Sequence, residues 1–114
     1  MRDPDWKIRI HDMIASLEAN DGYTAALSFG DFSNLPLVID ATLRHLTVIG
    51  EAASRLPEHV KQNNPTVPWR QIKSMRNRRV HDYRGTDLDI VWQTIRHDLP
   101  DLLTSLRQIA NNQS

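Results

Sequence analysis

Apolar residues recur along this chain at intervals of three and four, and alternation by two is almost absent, so the pattern predicts helices. Asp3-Pro4 has the form of an N-cap with proline in the first turn, followed by an apolar face of Trp6, Ile10, Met13, Ile14 and Leu17. Asn20-Asp21-Gly22 reads as the end of that helix. Tyr23 to Asn34 is less regular, with room for a short helix around Ala25-Ala26-Leu27. A second long helix is expected from about Pro36 to Arg55. Ile39, Leu43, Leu46, Ile49 or Gly50, Ala53 and Leu56 share one of its faces, and the small residues Gly50, Ala52 and Ala53 allow a close approach by a neighbour. Pro57 starts a short turn of helix over Glu58 to Gln62, which Asn63-Asn64-Pro65 breaks.

Pro68 opens a third helix, with Ile72 and Met75 inward, that meets its first evident break at Gly85. Thr86-Asp87-Leu88-Asp89 has the spacing of a capped N-terminus. Trp92, Ile95, Leu99, Leu102, Leu106 and Ile109 then trace one narrow seam, and Pro100 should bend the helix that carries it. The expected fold is all-α: a single domain over residues 1–114, built as an antiparallel bundle of four main helices plus one or two short ones.

Composition adds exclusions. The 114 residues suffice for one modest core, and the formal charge is zero. With no cysteine, disulfides, thiolate metal sites and a cysteine nucleophile are excluded. No stretch approaches the roughly 18 apolar residues of a membrane span, and no apolar signal region opens the chain, so a soluble, cytoplasmic protein is expected.

Charge distribution changes the picture. Residues 1–69 hold 6 Lys/Arg against 9 Asp/Glu, residues 70–84 hold 6 against 1, and residues 85–114 hold 2 against 4. A basic patch between acidic flanks is the footprint of a polyanion site, or else a solvated face whose charges pair with neighbouring carboxylates. Within it, Arg76-Asn77-Arg78-Arg79-Val80-His81-Asp82-Tyr83 concentrates three guanidinium groups, an imidazole and a phenol. Such side chains can hold a phosphate and move a proton beside it. On RNA, His81 is suited to take the proton of a 2′-hydroxyl, and a second histidine or a water to supply the leaving oxygen. Arg76 would stabilise the charge that builds on phosphorus, and Asn77 would position ribose or phosphate. Arg78 and Arg79 complete the candidate phosphate-binding set.

Arg76 and His81 are five residues apart, about 140° around an ideal helix. Either the helix ends or kinks between them, or two copies of the segment meet in a composite site across a two-fold axis, and the geometry of a straight helix favours the dimer. His11, His45, His59 and His97 show no metal-ligand spacing, and no metal or cofactor is expected. Glu51 on the second helix could pair with an arginine of the third or stand as a solvated helix carboxylate.

These residues carry a resemblance. Ile49-Gly50-Glu51-Ala52, Pro65, Pro68-Trp69, Met75-Arg76-Asn77 with His81-Asp82-Tyr83, Val91-Trp92 and Asp98-Leu99-Pro100 together resemble the HepT-like toxins of the HEPN superfamily, over nearly the whole chain. The resemblance implies an all-helical homodimer that cleaves RNA without a metal, through Arg76 and His81. It also implies a minimal nucleotidyltransferase as antitoxin, a partner that can transfer AMP from ATP onto Tyr83. An adenylyl group there adds bulk and negative charge to a basic site, so it should repel RNA. Two other readings stay open: a non-catalytic helical partner or nucleotide-binding subunit of a nucleotidyltransferase, and a plain structural dimer.

Overall fold

The computed structural model describes residues 5–80 and 86–112, and every regular element among them is helical. Helix α1 spans Asp5–Thr24 and buries Trp6, Ile10, Met13 and Leu17 along one stripe. It runs past the expected stop at Gly22. The reason is local: Thr24 is fully buried, and its hydroxyl donates to the Asn20 carbonyl at 2.9 Å, closing the last turn from inside. The expected cap at Asp3-Pro4 lies outside the described residues.

The short helix forms later than Ala25. It is α2, Phe29–Ser33, and Ser28 sets its start by accepting from the Asp31 amide while the Asp31 carboxylate accepts from the Ser28 amide. This reciprocal cap needs no longer acid than aspartate. Its product is the burial of Phe32, whose ring centroid lies 5.0 Å from that of Trp92. Helix α3, Pro36–Ser54, follows with proline in its first turn, and α4, Glu58–Asn63, with Val60 buried.

Helix α5 covers only Trp69–Ser74, and a 3₁₀ turn over Met75–Asn77 ends it. Arg78 is already extended, with φ −65° and ψ 129°. The expectation of a helix continuing to Gly85 is therefore corrected. Residues 76–79 are all compatible with a helix, so the stop comes from packing: buried Ile72 and Met75 hold the segment against α3.

The C-terminal seam is one continuous rod in three parts. Helix α6, Thr86–Gln93, passes through a π-helical stretch, Thr94–Asp98, into α7, Leu99–Asn112. Within the wide stretch the Leu99 amide donates to the Thr94 carbonyl, five residues back. The widening precedes Pro100, whose ring would otherwise press on the Arg96 carbonyl, so the bend expected there takes the form of a π-bulge.

Contacts fix the directions. Trp6 lies near His59 and Tyr23 near His45, so α1 runs antiparallel to α3; Arg107 pairs with Glu18 at 2.7 Å and Arg96 donates to the Thr24 carbonyl, so α7 runs antiparallel to α1. The core lies where α1, α3 and the C-terminal rod meet, around Ile10, Met13, Ile39, Leu46, Val91 and Leu106. No helix of the described residues is long and apolar enough to cross a membrane.

Candidate active site at the end of the 3₁₀ turn

Gly50 decides where the basic segment sits. A Cβ at this position would lie 2.4 Å from the Arg76 backbone nitrogen and 2.8 Å from its Cβ. Only glycine lets the 3₁₀ turn approach α3 so closely, and the approach puts Arg76 beside Glu51 on the next position of that helix. The Arg76 guanidinium donates to Glu51 Oε1 at 3.4 Å, while the other carboxylate oxygen faces Arg55 at 4.0 Å. Of the two readings of Glu51, the pairing with an arginine of the third helical segment is the one present. With Arg76 and Glu51 33% and 46% exposed, water screens the attraction, so the pair orients the guanidinium more than it stabilises the fold.

Four of the six residues of the sequence-derived site fall among the described residues. Arg76 is half-buried and oriented by Glu51; Asn77 and Arg79 are exposed on the surface next to it. Arg78 goes elsewhere. The extended backbone after Asn77 turns its side chain inward, where Nε is buried with no hydrogen-bond partner and the residue lines a cavity of about 340 Å³ between α5 and the π-bulge. His81 and Tyr83 lie outside the described residues.

The helix ends between Arg76 and His81, so the angle of about 140° drawn on one straight helix no longer applies. That geometric case for a composite site falls away. A two-fold arrangement rests on the family resemblance alone.

The patch keeps its charge. Among the described residues, the ion pairs of the segment reduce to Arg76 with Glu51, and Arg70, Lys73, Arg78 and Arg79 have none. Five cations within ten residues, one of them partly neutralised, leave a local positive potential suited to a polyanion. No group of three or more His, Asp or Glu side chains among the described residues is disposed to hold a metal ion. Of the remaining histidines, His45 is half-buried against Tyr23, and burial, then the neighbouring Arg44 charge, lower its pKa from 6.5. His11, His59 and His97 are exposed.

Two features escaped the sequence. The inward turn of Arg78 depends on the backbone after Asn77, which no residue type announces. The cavity depends on the π-bulge, for which Pro100 was the single hint.

Residues 13–109 match the family described as Ribonuclease HepT-like. The chain is 34% identical over 87 residues to a "Putative RNase" of Caldanaerobacter subterraneus subsp. tengcongensis, covering 76% of this chain and 78% of the other. It is 32% identical over 93 residues to the "Probable ribonuclease HepT" of Thermococcus cleftensis, covering 82% and 84%. No solved structure gives a significant match.

Proposed function

The chain belongs to the HepT-like ribonuclease family, and on that premise we propose that it is a metal-independent endoribonuclease acting as the toxin of a toxin–antitoxin pair. One observation supports this reading above others. Among the described residues, the basic segment that opens the Arg-x4-His-x-Tyr motif is left largely unneutralised, while the motif's arginine is held in place by Glu51 from a neighbouring helix. A merely solvated face would pair its charges instead.

In the proposed reaction His81 removes the proton of a 2′-hydroxyl, and the oxygen attacks the adjacent phosphorus. The bond from phosphorus to the 5′-oxygen breaks, that oxygen takes a proton from a second histidine or from water, and a 2′,3′-cyclic phosphate forms. Arg76 stabilises the added charge on the phosphoryl oxygens, a role that rewards pre-orientation because the charge appears only in the transition state. Asn77 and Arg79, exposed beside it, hold the ribose and flanking phosphates. The protein works as a homodimer, and a minimal nucleotidyltransferase is its antitoxin. In the silencing step the Tyr83 oxygen attacks the α-phosphorus of ATP, pyrophosphate leaves, and tyrosine carries AMP.

The test is cleavage of RNA by purified protein in EDTA, alongside growth on induced expression. Wild-type protein should cut RNA and slow growth, and Arg76→Ala and His81→Ala should do neither; cleavage persisting in His81→Ala overturns the assignment. Incubation with ATP and the nucleotidyltransferase should add AMP in whole units by mass, and modification that survives Tyr83→Phe rules out that tyrosine. The alternative, a non-catalytic partner of the nucleotidyltransferase, predicts nucleotide or protein binding and no cutting by any variant.

A further inference from the structure

The cavity beneath the motif holds opposite charges that do not meet. Arg78 lines it from the end of the 3₁₀ turn, and Asp98 and Asp101 line it from the π-bulge and the first turn of α7. Neither carboxylate forms an ion pair with Arg78, and the buried Nε of Arg78 has no hydrogen-bond partner. Here the cavity stands between them, walled by the apolar side chains of Ile72, Met75 and Leu102. At about 340 Å³ it falls at the small end of ligand sites, which run from roughly 300 to 1,000 Å³.

A ligand that satisfies such walls is flat and apolar on its faces, with acceptors along one edge and donors along the next. Guanine has that layout. Its O6 and N7 accept from a guanidinium, its N1–H and 2-amino group donate to a carboxylate, and its faces suit an aliphatic and thioether lining. Adenine lacks the ring N–H, and uracil lacks the exocyclic amine. The position fits as well. Arg78 is two residues beyond Arg76, so their Cα atoms are at most roughly 7 Å apart, and a nucleotide whose phosphate lies at Arg76 has its base within reach.

We propose that this cavity is a base-recognition pocket that selects guanine next to the cleaved phosphate, with Arg78 reading the O6/N7 edge and Asp98 or Asp101 reading the N1–H and 2-amino edge. The proposal rests on the ribonuclease reading and assigns Arg78 to the base instead of the backbone.

The test has two arms on the full-length protein. In the first, binding of guanosine, inosine and adenosine 5′-monophosphates is measured by calorimetry, without cleavage. Guanosine monophosphate should bind at least about tenfold tighter than the inosine analogue, which lacks the 2-amino group, and than adenosine monophosphate. Asp98→Asn or Asp101→Asn should abolish the preference, and Arg78→Lys should weaken it by removing the guanidinium fork. Thermal melts confirm that the variants fold; both aspartates are exposed, so little stability is at stake. In the second arm, wild-type protein cuts oligonucleotides that differ in one base beside a single cleavable position.

The outcomes separate the two readings. Cleavage without base preference and without selective binding overturns the pocket and leaves the ribonuclease. Selective guanine binding without cleavage by any variant supports the pocket and sinks the ribonuclease. An aspartate variant that changes the dimer's mass in solution while base choice stays the same overturns the pocket as well, because the cavity would then be filled by a second copy of the chain.

Discussion

Two glycines in helices make opposite predictions for the same substitution. At Gly22 an added Cβ meets nothing within 4 Å and the backbone φ is not positive, so Gly22→Ala should raise stability by about 0.5–1 kcal/mol and leave RNA cleavage unchanged. At Gly50 the same gain in helix propensity, about 1 kcal/mol at most, is set against a methyl group 2.4 Å from a backbone nitrogen. Overpacking costs typically 1–3 kcal/mol, and backbone cannot rotate away as a side-chain tip does, so the clash wins. Gly50→Ala should lower the melting temperature and reduce cleavage more than tenfold by pushing Arg76 out of position; a variant of wild-type activity overturns Gly50 as the reason for the close approach. His45 supplies a pH dependence. Its pKa is lowered in the folded state, so below pH 6.5 the unfolded chain binds the proton more readily than the folded one. Stability should be full above about pH 6.5 and decline as pH falls below it, and urea titrations at several pH values should show a shallower decline in His45→Gln.

Helices α1 and α3 and the C-terminal seam could be read from spacing because each buries one stripe, and burial of a stripe is what a period of 3.6 encodes. The end of α5 could not. Arg76-Asn77-Arg78-Arg79 contains nothing that forbids a helix, and the chain leaves the helix there because the 3₁₀ turn docks on Gly50, 26 residues before Arg76 in sequence. The types of side chain at the site were therefore legible, and so was the pairing of Glu51; the direction of Arg78 was not. The π-bulge shows how far-apart elements fix each other. It presents Arg96, which lies 4.2 Å over the Trp92 ring and donates to the carbonyl of Thr24, the last residue of α1, and to that of Leu27 in the turn beyond it. The Leu27 amide also donates to the Thr24 carbonyl, so Arg96 adds a second, charged donor there and ties the turn after α1 to the C-terminal rod. Arg96→Ala should cost about 2–3 kcal/mol, since charged hydrogen bonds and a stacked cation go together. Arg96→Lys should recover only part of it, because an ammonium replaces the planar fork. Thermal melts read the loss, and cleavage at low temperature should be unchanged.

At the scale of the whole molecule the open matter is whether one chain or two complete the site. The straight-helix geometry that favoured two chains is gone, since the helix ends at Asn77. The homodimer implied by the family can therefore hold two self-contained sites, or two sites that each draw Arg76 from one subunit and His81 from the other. Mixing inactive variants distinguishes them. If Arg76→Ala and His81→Ala chains are co-refolded, random pairing makes half of the dimers mixed. In a composite arrangement each mixed dimer owns one site with both native residues and one with neither, so the mixture should regain about a quarter of wild-type activity. In self-contained sites every site lacks one residue, and the mixture stays inactive. We expect the quarter on the family resemblance, which implies a homodimer; Glu51 holds the Arg76 guanidinium from α3, which is compatible with either arrangement. A mixture as inactive as its parents, with mass measurements confirming that mixed dimers formed, overturns the shared site and leaves each subunit to cut alone.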